Sequence, residues 1–272
     1  MSPAKGPMTS TRPTALITGA SGGIGLELAR LCARGGHDVI LVARNAPKLE
    51  ELAKYLGGMY NVRTEVIVAD LEDPEAPQAI LEEVERRGLG VDVLINNAGF
   101  GDWGLFGRAG LEKQLAMVQV NIVALMILTR LVLPRMVSQR KGRILNVAST
   151  AAFQPGPLMA TYYASKAFVL SFSQALSNEF KGTGITVTAL CPGPTRTKFF
   201  EVANLPQNVP MTGPFMMPVE PVAEAGYHGM MRGSTVVVPG FLNKLLVFSG
   251  RLVPRSIPTA IARRIQEGRG NG

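Results

Sequence analysis

The chain has 272 residues, of which 46% are hydrophobic and 18% are charged, which is enough to bury the core of one α/β domain. Its two cysteines, Cys32 and Cys191, cannot form a disulfide framework, and its two histidines, His37 and His228, lack metal-ligand spacing. These counts argue against a disulfide-rich protein or a metal site, and they favour a reducing compartment, the cytoplasm.

The net charge of +8 is concentrated at the carboxyl end of the chain. Residues 240–272 hold six basic side chains and one acidic side chain, which leaves a net charge of +3 for the rest. Because no recognition motif with interleaved aromatic residues occurs, we expect no nucleic-acid partner. Residues 1–12 contain no apolar signal segment and are expected to form a flexible leader.

The first predicted elements are a buried strand at Ala15 to Ile17 and a helix at Leu26 to Arg34. A glycine-rich turn separates them, with glycines at Gly19, Gly22, Gly23 and Gly25. A strand, a glycine turn and a helix in this order place a phosphate at the helix N-terminus, where free N–H groups and the helix dipole favour an anion. Glycine lets the backbone approach a pyrophosphate closely. The pattern therefore predicts a dinucleotide site.

Strands and helices are predicted to alternate along the rest of the chain. The strands are expected at 38–43, 64–69, 91–96, 142–148, 185–190 and 235–238, and the helices at 47–56, 74–87, 111–137, 159–181 and 221–231. This alternation predicts one domain, 13–240, with a Rossmann-like, doubly wound parallel sheet of about seven strands. The most apolar stretch, 122–133, contains Arg130 and is too short to span a bilayer, so we interpret it as a buried helix.

Arg44 ends the second predicted strand, where a dinucleotide-binding fold commonly has an acidic residue for the ribose 2′-hydroxyl. The nearest downstream carboxylates, Glu50 and Glu51, lie inside the next predicted helix. A basic residue at this position suits a 2′-phosphate, and a surface arginine is the alternative. We therefore predict NADP(H) in preference to NAD(H).

Tyr162 and Lys166 are four residues apart in a predicted helix, so both can point into one site. A neighbouring ammonium favours the phenolate and lowers the tyrosine pKa, which would make Tyr162 a workable acid and base. Tyr163 has Ala167 four residues later and so lacks a charged partner, and its ring is expected to have a packing role. Ser149 follows a strand and could donate to a substrate carbonyl oxygen on which negative charge develops.

Together these features resemble the short-chain dehydrogenase/reductase family between residues 14 and 238. The matching motifs are Thr18-Gly19-x-x-x-Gly23-x-Gly25, Asn96-Asn97-Ala98-Gly99, Asn121, Ser149, Tyr162-x-x-x-Lys166 and Pro192-Gly193. The resemblance implies NAD(P)-dependent hydride transfer between a carbonyl and an alcohol, with Tyr162 as the acid and base and Ser149 as the carbonyl polariser. Lys166 would bind the cofactor ribose. Asn121 would hold a water behind Lys166, whereas local bonding within its helix is the alternative.

The resemblance also implies a set of cofactor-binding residues. In it, Asp70 corresponds to the adenine contact, Asn97 lies beside the cofactor, and Thr195 belongs to the nicotinamide-side loop. The full set is Gly19, Ser21, Gly23, Ile24, Gly25, Arg44, Asp70, Leu71, Asn97, Ala98, Gly99, Tyr162, Lys166, Pro192, Gly193 and Thr195. Pairing of the helices at 111–137 and 159–181 across a two-fold axis would make a homodimer or homotetramer.

A substrate lid is expected at about 195–218, where apolar residues cluster. They are Phe199, Phe200, Leu205, Met211, Phe215, Met216 and Met217. Since methionine-rich surfaces adapt to varied ligands, a lipophilic small-molecule carbonyl or alcohol is favoured, while simple packing of these residues is as good an explanation.

Residues 241–272 form a basic, partly apolar extension. We consider three roles for it, in this order: a flap over the pocket, an oligomer contact, or an interfacial helix with weak membrane-surface contact. A non-catalytic NADP(H)-binding sensor or interaction protein is the alternative for the whole chain. The complete set of Ser149, Tyr162 and Lys166 argues against that alternative.

Overall fold

The computed structural model describes residues 12–204, 216–250, 254 and 256–268. Within them, seven strands form one sheet in the order β3-β2-β1-β4-β5-β6-β7, and every neighbouring pair is parallel. The strands are β1 Thr14–Thr18, β2 Asp38–Ala43, β3 Thr64–Val68, β4 Val93–Asn96, β5 Gly142–Val147, β6 Ile185–Leu190 and β7 Val236–Val237. The predicted Rossmann-like sheet is confirmed.

Helices connect the strands and cover both faces of the sheet. They are α1 Gly23–Arg34, α2 Ala46–Tyr60, α3 Ala76–Arg86, α4 Leu111–Val118, α5 Leu125–Gln139, α6 Ala160–Glu179, α7 Phe199–Val202, α8 Val219–Met231, α9 Phe241–Ser249 and α10 Ser256–Gly268. Helix α1 starts earlier than predicted, because the Leu26 N–H donates to the Gly22 carbonyl and closes a first turn over the glycines. Side chains alternate between the two faces of the sheet: Leu41 packs in one apolar layer and Ile40 in the other.

Helices α4 and α5 join through a π-helical segment, Gln119–Ala124, into a continuous helix of 29 residues, Leu111–Gln139. By length and composition this helix could cross a membrane, so the prediction that its apolar stretch is too short to span a bilayer is wrong. A core helix of a soluble protein passes the same test. Leu128, Val132 and Met136 are buried in the layer formed with the sheet, as in such a core helix.

The strand order reverses between β1 and β4, whose carboxyl ends lie side by side. In a doubly wound sheet, ligands bind at this switch point. The glycine turn after β1 and the Asn97–Gly99 segment after β4 both begin there. The fold therefore brings distant parts of the chain to one edge of the sheet.

Candidate active site

The glycine turn is a backbone structure that side chains would disrupt. Gly19 and Gly23 have φ angles of +66° and +55°, a region that L-residues with side chains rarely adopt. A Cβ on Gly25 would lie 2.4 Å from the Gly19 carbonyl oxygen and 2.4 Å from Asn97 Nδ2. Helix α1 has no side-chain cap at its N-terminus, so its first N–H groups are available to an anion.

Thr18 and Asn97 tie the glycine turn to the strand edge next to it. Thr18 Oγ1 accepts hydrogen bonds from the N–H groups of Asn97 and Ala98, both at 3.0 Å. Asn97 Nδ2 donates to the carbonyls of Thr18, at 2.9 Å, and Gly19, at 3.2 Å. The predicted cofactor residues Asn97 and Ala98 thus share one hydrogen-bonded unit with the turn, with Thr18 as its centre.

Arg44 lies exposed at the end of β2, beside two carboxylates of the segment after β3. Its Nη1 is 3.0 Å from Glu72 Oε1 and 3.5 Å from Asp70 Oδ2. Sequence inspection considered only Glu50 and Glu51 and missed Glu72. The pairing of β2 with β3 brings Glu72 near, since Ala43 aligns with Val68. Leu71, between the two carboxylates, is buried.

Ser149, Tyr162 and Lys166 meet at the carboxyl end of β5. Ser149 Oγ accepts from the Ala151 N–H at 3.1 Å and donates to the Pro192 carbonyl at 3.4 Å. Lys166 is buried; its Nζ donates to the Val147 carbonyl at 2.8 Å and lies 5.8 Å from the centre of the Tyr162 ring.

The pKa of Tyr162 departs from the sequence-based expectation. Burial raises this pKa, and a hydrogen bond with Ser149 opposes the rise. Burial also lowers the pKa of Lys166 to about 8. The expected lowering of the Tyr162 pKa by Lys166 is therefore wrong for this arrangement, because desolvation is the largest influence on this phenol.

Asn121 lies in the π-helical segment and reaches outside its own helix, so the alternative of local helix bonding is wrong. Its Oδ1 accepts from the Phe100 N–H at 3.0 Å, and its Nδ2 donates to the Phe100 carbonyl at 2.9 Å and to Ser165 Oγ at 3.0 Å. A Cβ on Gly99 would lie 2.9 Å from Asn121 Oδ1 and 3.2 Å from Lys166 Nζ. Asn121 therefore holds the loop after β4 beside Lys166.

The opposite side of Tyr162 is an aromatic cluster. The Tyr162 ring lies 5.1 Å from that of Phe199 and 6.0 Å from that of Tyr163. Of the predicted lid, Phe199 and Phe200 lie in α7 and join the cluster, whereas Leu205, Met211 and Phe215 lie outside the described residues. Three further members were not predicted from the sequence, namely Trp103, Met159 and Ala203. The single tryptophan of the chain, shortly after the Gly99 motif, was the available signal.

The carboxyl-terminal helices lie against the Pro192–Thr195 loop and the aromatic cluster. Thr195 Oγ1 donates to the Gly193 carbonyl at 2.9 Å. A Cβ on Gly193 would lie 2.5 Å from the side-chain amide of Asn243 in α9. In α10, Gln266 is buried and its Nε2 lies 3.3 Å from Tyr163 Oη and 3.4 Å from Met159 Sδ. Helix α10 thus packs beside the aromatic cluster.

These residues fit a dinucleotide. Among the described residues, the buried Lys166 Nζ donates a hydrogen bond to the Val147 carbonyl. An ammonium group has three N–H donors. Ribose hydroxyls can accept the others. The uncapped start of α1 supplies free N–H groups for the pyrophosphate, and Arg44 supplies a cation at the end of β2.

Comparison with known proteins gives the same family as the motifs. The family model "short chain dehydrogenase" matches residues 13–208. The chain is 39% identical to hydroxysteroid dehydrogenase-like protein 1 of Gallus gallus over 65% of this chain and 54% of that protein. It is 37% identical to very-long-chain 3-oxoacyl-CoA reductase of Anas platyrhynchos over 70% of this chain and 62% of that protein. The chain thus spans less than two thirds of these relatives.

A solved structure matches more of the chain. The short-chain dehydrogenase from Sphingobium yanoikuyae in complex with NADPH superposes with a TM-score of 0.78 at 36% identity, covering 88% of this chain and 93% of that chain. Sheet order, site geometry and family match agree. The chain belongs to the short-chain dehydrogenase family of oxidoreductases.

Proposed function

We propose that this chain is an NADP(H)-dependent oxidoreductase that interconverts a lipophilic carbonyl compound and its alcohol, with Tyr162 as the acid and base. The observation that carries the proposal is the meeting of Ser149, Tyr162 and the buried Lys166 at the carboxyl end of β5. A role as a cofactor sensor would not need a phenol and a hydroxyl to meet beside a buried lysine.

In the reductive direction, Ser149, Tyr162 and Lys166 have different roles. Ser149 and Tyr162 donate hydrogen bonds to the carbonyl oxygen, on which negative charge develops. Since burial raises its pKa, Tyr162 keeps its proton at neutral pH and can transfer it to that oxygen. Lys166, with a pKa of about 8, is largely charged at neutral pH and favours a developing phenolate. A bound nicotinamide would supply the hydride.

Arg44 supports the choice of NADP(H). Its guanidinium group lies at the strand end where the adenine ribose of a dinucleotide would bind, and it is more than half exposed. A 2′-phosphate would compete with Glu72 and Asp70 for this group and could accept a bidentate hydrogen bond. The NADPH complex of the Sphingobium protein is consistent with this choice.

The aromatic cluster supports a lipophilic substrate. Trp103, Met159, Phe199 and Phe200 line one side of Tyr162 with apolar surface. Both vertebrate relatives have names that refer to steroid or long-chain substrates. Aromatic, aliphatic and steroid ketones are therefore the classes of substrate to test first.

A screen of the purified full chain tests the proposal. NADPH oxidation should occur with some ketones of these classes, and NADPH should be preferred to NADH. NADPH binding without turnover across the panel would instead favour the sensor.

The long helix also exposes apolar side chains, at Leu111, Leu115 and Met126. This exposed surface supports a homo-oligomer. Light scattering that gives a monomer at micromolar concentration would contradict the homo-oligomer.

A further inference from the structure

Helix α9 presents an apolar face to solvent. Five of its side chains are between 44% and 78% exposed, namely Phe241, Leu242, Leu245, Leu246 and Phe248. Their spacing places them on one side of the helix, opposite Asn243. Asn243 is the residue that α9 buries. Most of the apolar surface of this helix thus has no cover from the described part of the chain.

Asn243 attaches α9 to the loop that precedes the lid. Its Nδ2 donates to the Pro239 carbonyl at 2.9 Å and lies 3.5 Å from Met217 Sδ. Gly193 leaves room for this amide, since a Cβ there would approach it to 2.5 Å. The apolar face therefore points away from the protein, while the opposite side of α9 rests on the Pro192–Gly193 loop.

The stretch of sequence that contains α9 is basic. No acidic residue occurs between Glu224 and Glu267, whereas six basic residues do: Arg232, Lys244, Arg251, Arg255, Arg263 and Arg264. Among the described ones, Lys244 in α9 is exposed, and so are Arg263 and Arg264 in α10, where Arg263 pairs with Glu267. Helix α10 adds the exposed side chains of Ile257 and Ile261.

We propose that α9 binds the surface of an anionic phospholipid membrane. Phenylalanine and leucine side chains on one face, flanked by lysine and arginine, have the composition of an interfacial helix. A two-fold contact with a second copy would bring the same basic side chains together, at a cost in repulsion. Anionic headgroups would neutralise them. As a consequence that rests on the proposed function, lipophilic substrate dissolved in the membrane would lie near the site.

Sedimentation of the full chain with vesicles tests this inference without any turnover. We expect binding to vesicles of phosphatidylcholine with phosphatidylglycerol, and weaker binding to phosphatidylcholine alone. Raising the salt from about 0.1 M to about 1 M should weaken binding, because it screens the charges. The double variant Phe241→Ser/Leu245→Ser should bind at least about tenfold more weakly, since it removes two side chains that would insert.

The matched control is Leu105→Ser/Phe106→Ser, which removes one leucine and one phenylalanine that are 51% and 63% exposed elsewhere on the surface. It should bind like the parent. A thermal melt checks that each variant folds. The variant Lys244→Gln/Arg264→Gln gives a second test, because it should lose the preference for anionic vesicles. Failure of the parent to bind anionic vesicles, or equal losses in the α9 variant and the control, would overturn the proposal. A smaller oligomer in the α9 variant, without vesicle binding by the parent, would assign the face to a second copy.

Discussion

The two sides of the candidate site are built in different ways. On the cofactor side, backbone turns are held by directed hydrogen bonds from Thr18, Asn97 and Asn121. On the substrate side, rings and methionines pack around Tyr162, as in its contact with Phe199. Hydrogen bonds require specific distances and angles, whereas apolar packing accepts other side chains of similar volume. Changes on the cofactor side should therefore abolish function, and changes on the substrate side should alter specificity.

Tyr162, which lies between the two sides, should give the largest effect. We expect Tyr162→Phe to lower kcat by about 10²- to 10⁴-fold, because it removes the proton donor and leaves the ring. Binding of NADPH and the melting temperature should change little. Tyr163→Phe is the matched control and should be mild, since its hydroxyl contacts Gln266. Equal activity of the two variants in steady-state assays would refute the assignment of Tyr162.

Gly25 tests the rigidity of the cofactor side. Gly25→Ala places a Cβ 2.4 Å from the Gly19 carbonyl oxygen, which belongs to the backbone and cannot rotate away. We expect weaker NADPH binding by about 10- to 100-fold, or a clear loss of thermal stability. Gly22→Ala is the control, because a Cβ added there would have no neighbour within 4 Å and the φ of 176° suits any residue. If both alanine variants bind NADPH like the parent, the turn is less constrained than we infer.

Arg44 should separate the two nicotinamide cofactors. Arg44→Asp is expected to raise the Kd for NADPH by about 10- to 100-fold and to change that for NADH much less, since only NADPH carries the 2′-phosphate. Glu72→Gln should have the opposite effect and lower the Kd for NADPH, because it removes a carboxylate 3.0 Å from Arg44. Fluorescence titration measures both constants. Tighter binding of NADH than of NADPH by the parent would contradict this role.

Gln266 on the substrate side should give the smallest effect. Gln266→Ala removes the contacts of α10 with Tyr163 and Met159, and we expect KM for bulky ketones to rise by about three- to tenfold. Affinity for NADPH should stay unchanged, because the glycine turn is built from other elements. Glu267→Ala is the control, since Glu267 is exposed and pairs with Arg263. A KM equal to that of the parent would remove support for α10 as a flap.

The sheet, the glycine turn and the family could all be predicted from the amino-acid sequence. Strands that alternate with helices can pack compactly in only a few arrangements. The backbone turn at Gly19, Gly23 and Gly25 is local, so its glycines predict it directly. Tyr162 and Lys166 share a helix face at a fixed spacing, so their meeting was also predictable. The catalytic and cofactor roles of these residues stay predictions until they are measured.

Which distant residues meet depends on the tertiary structure. Glu72 reaches Arg44 because β2 pairs with β3, and Trp103 and Gln266 reach the substrate side through packing between segments far apart in sequence. The raised pKa of Tyr162 also depends on tertiary structure, since its largest cause is burial, which no local pattern specifies. Local spacing determines contacts within an element, whereas burial and contacts between elements arise when the sheet and helices assemble.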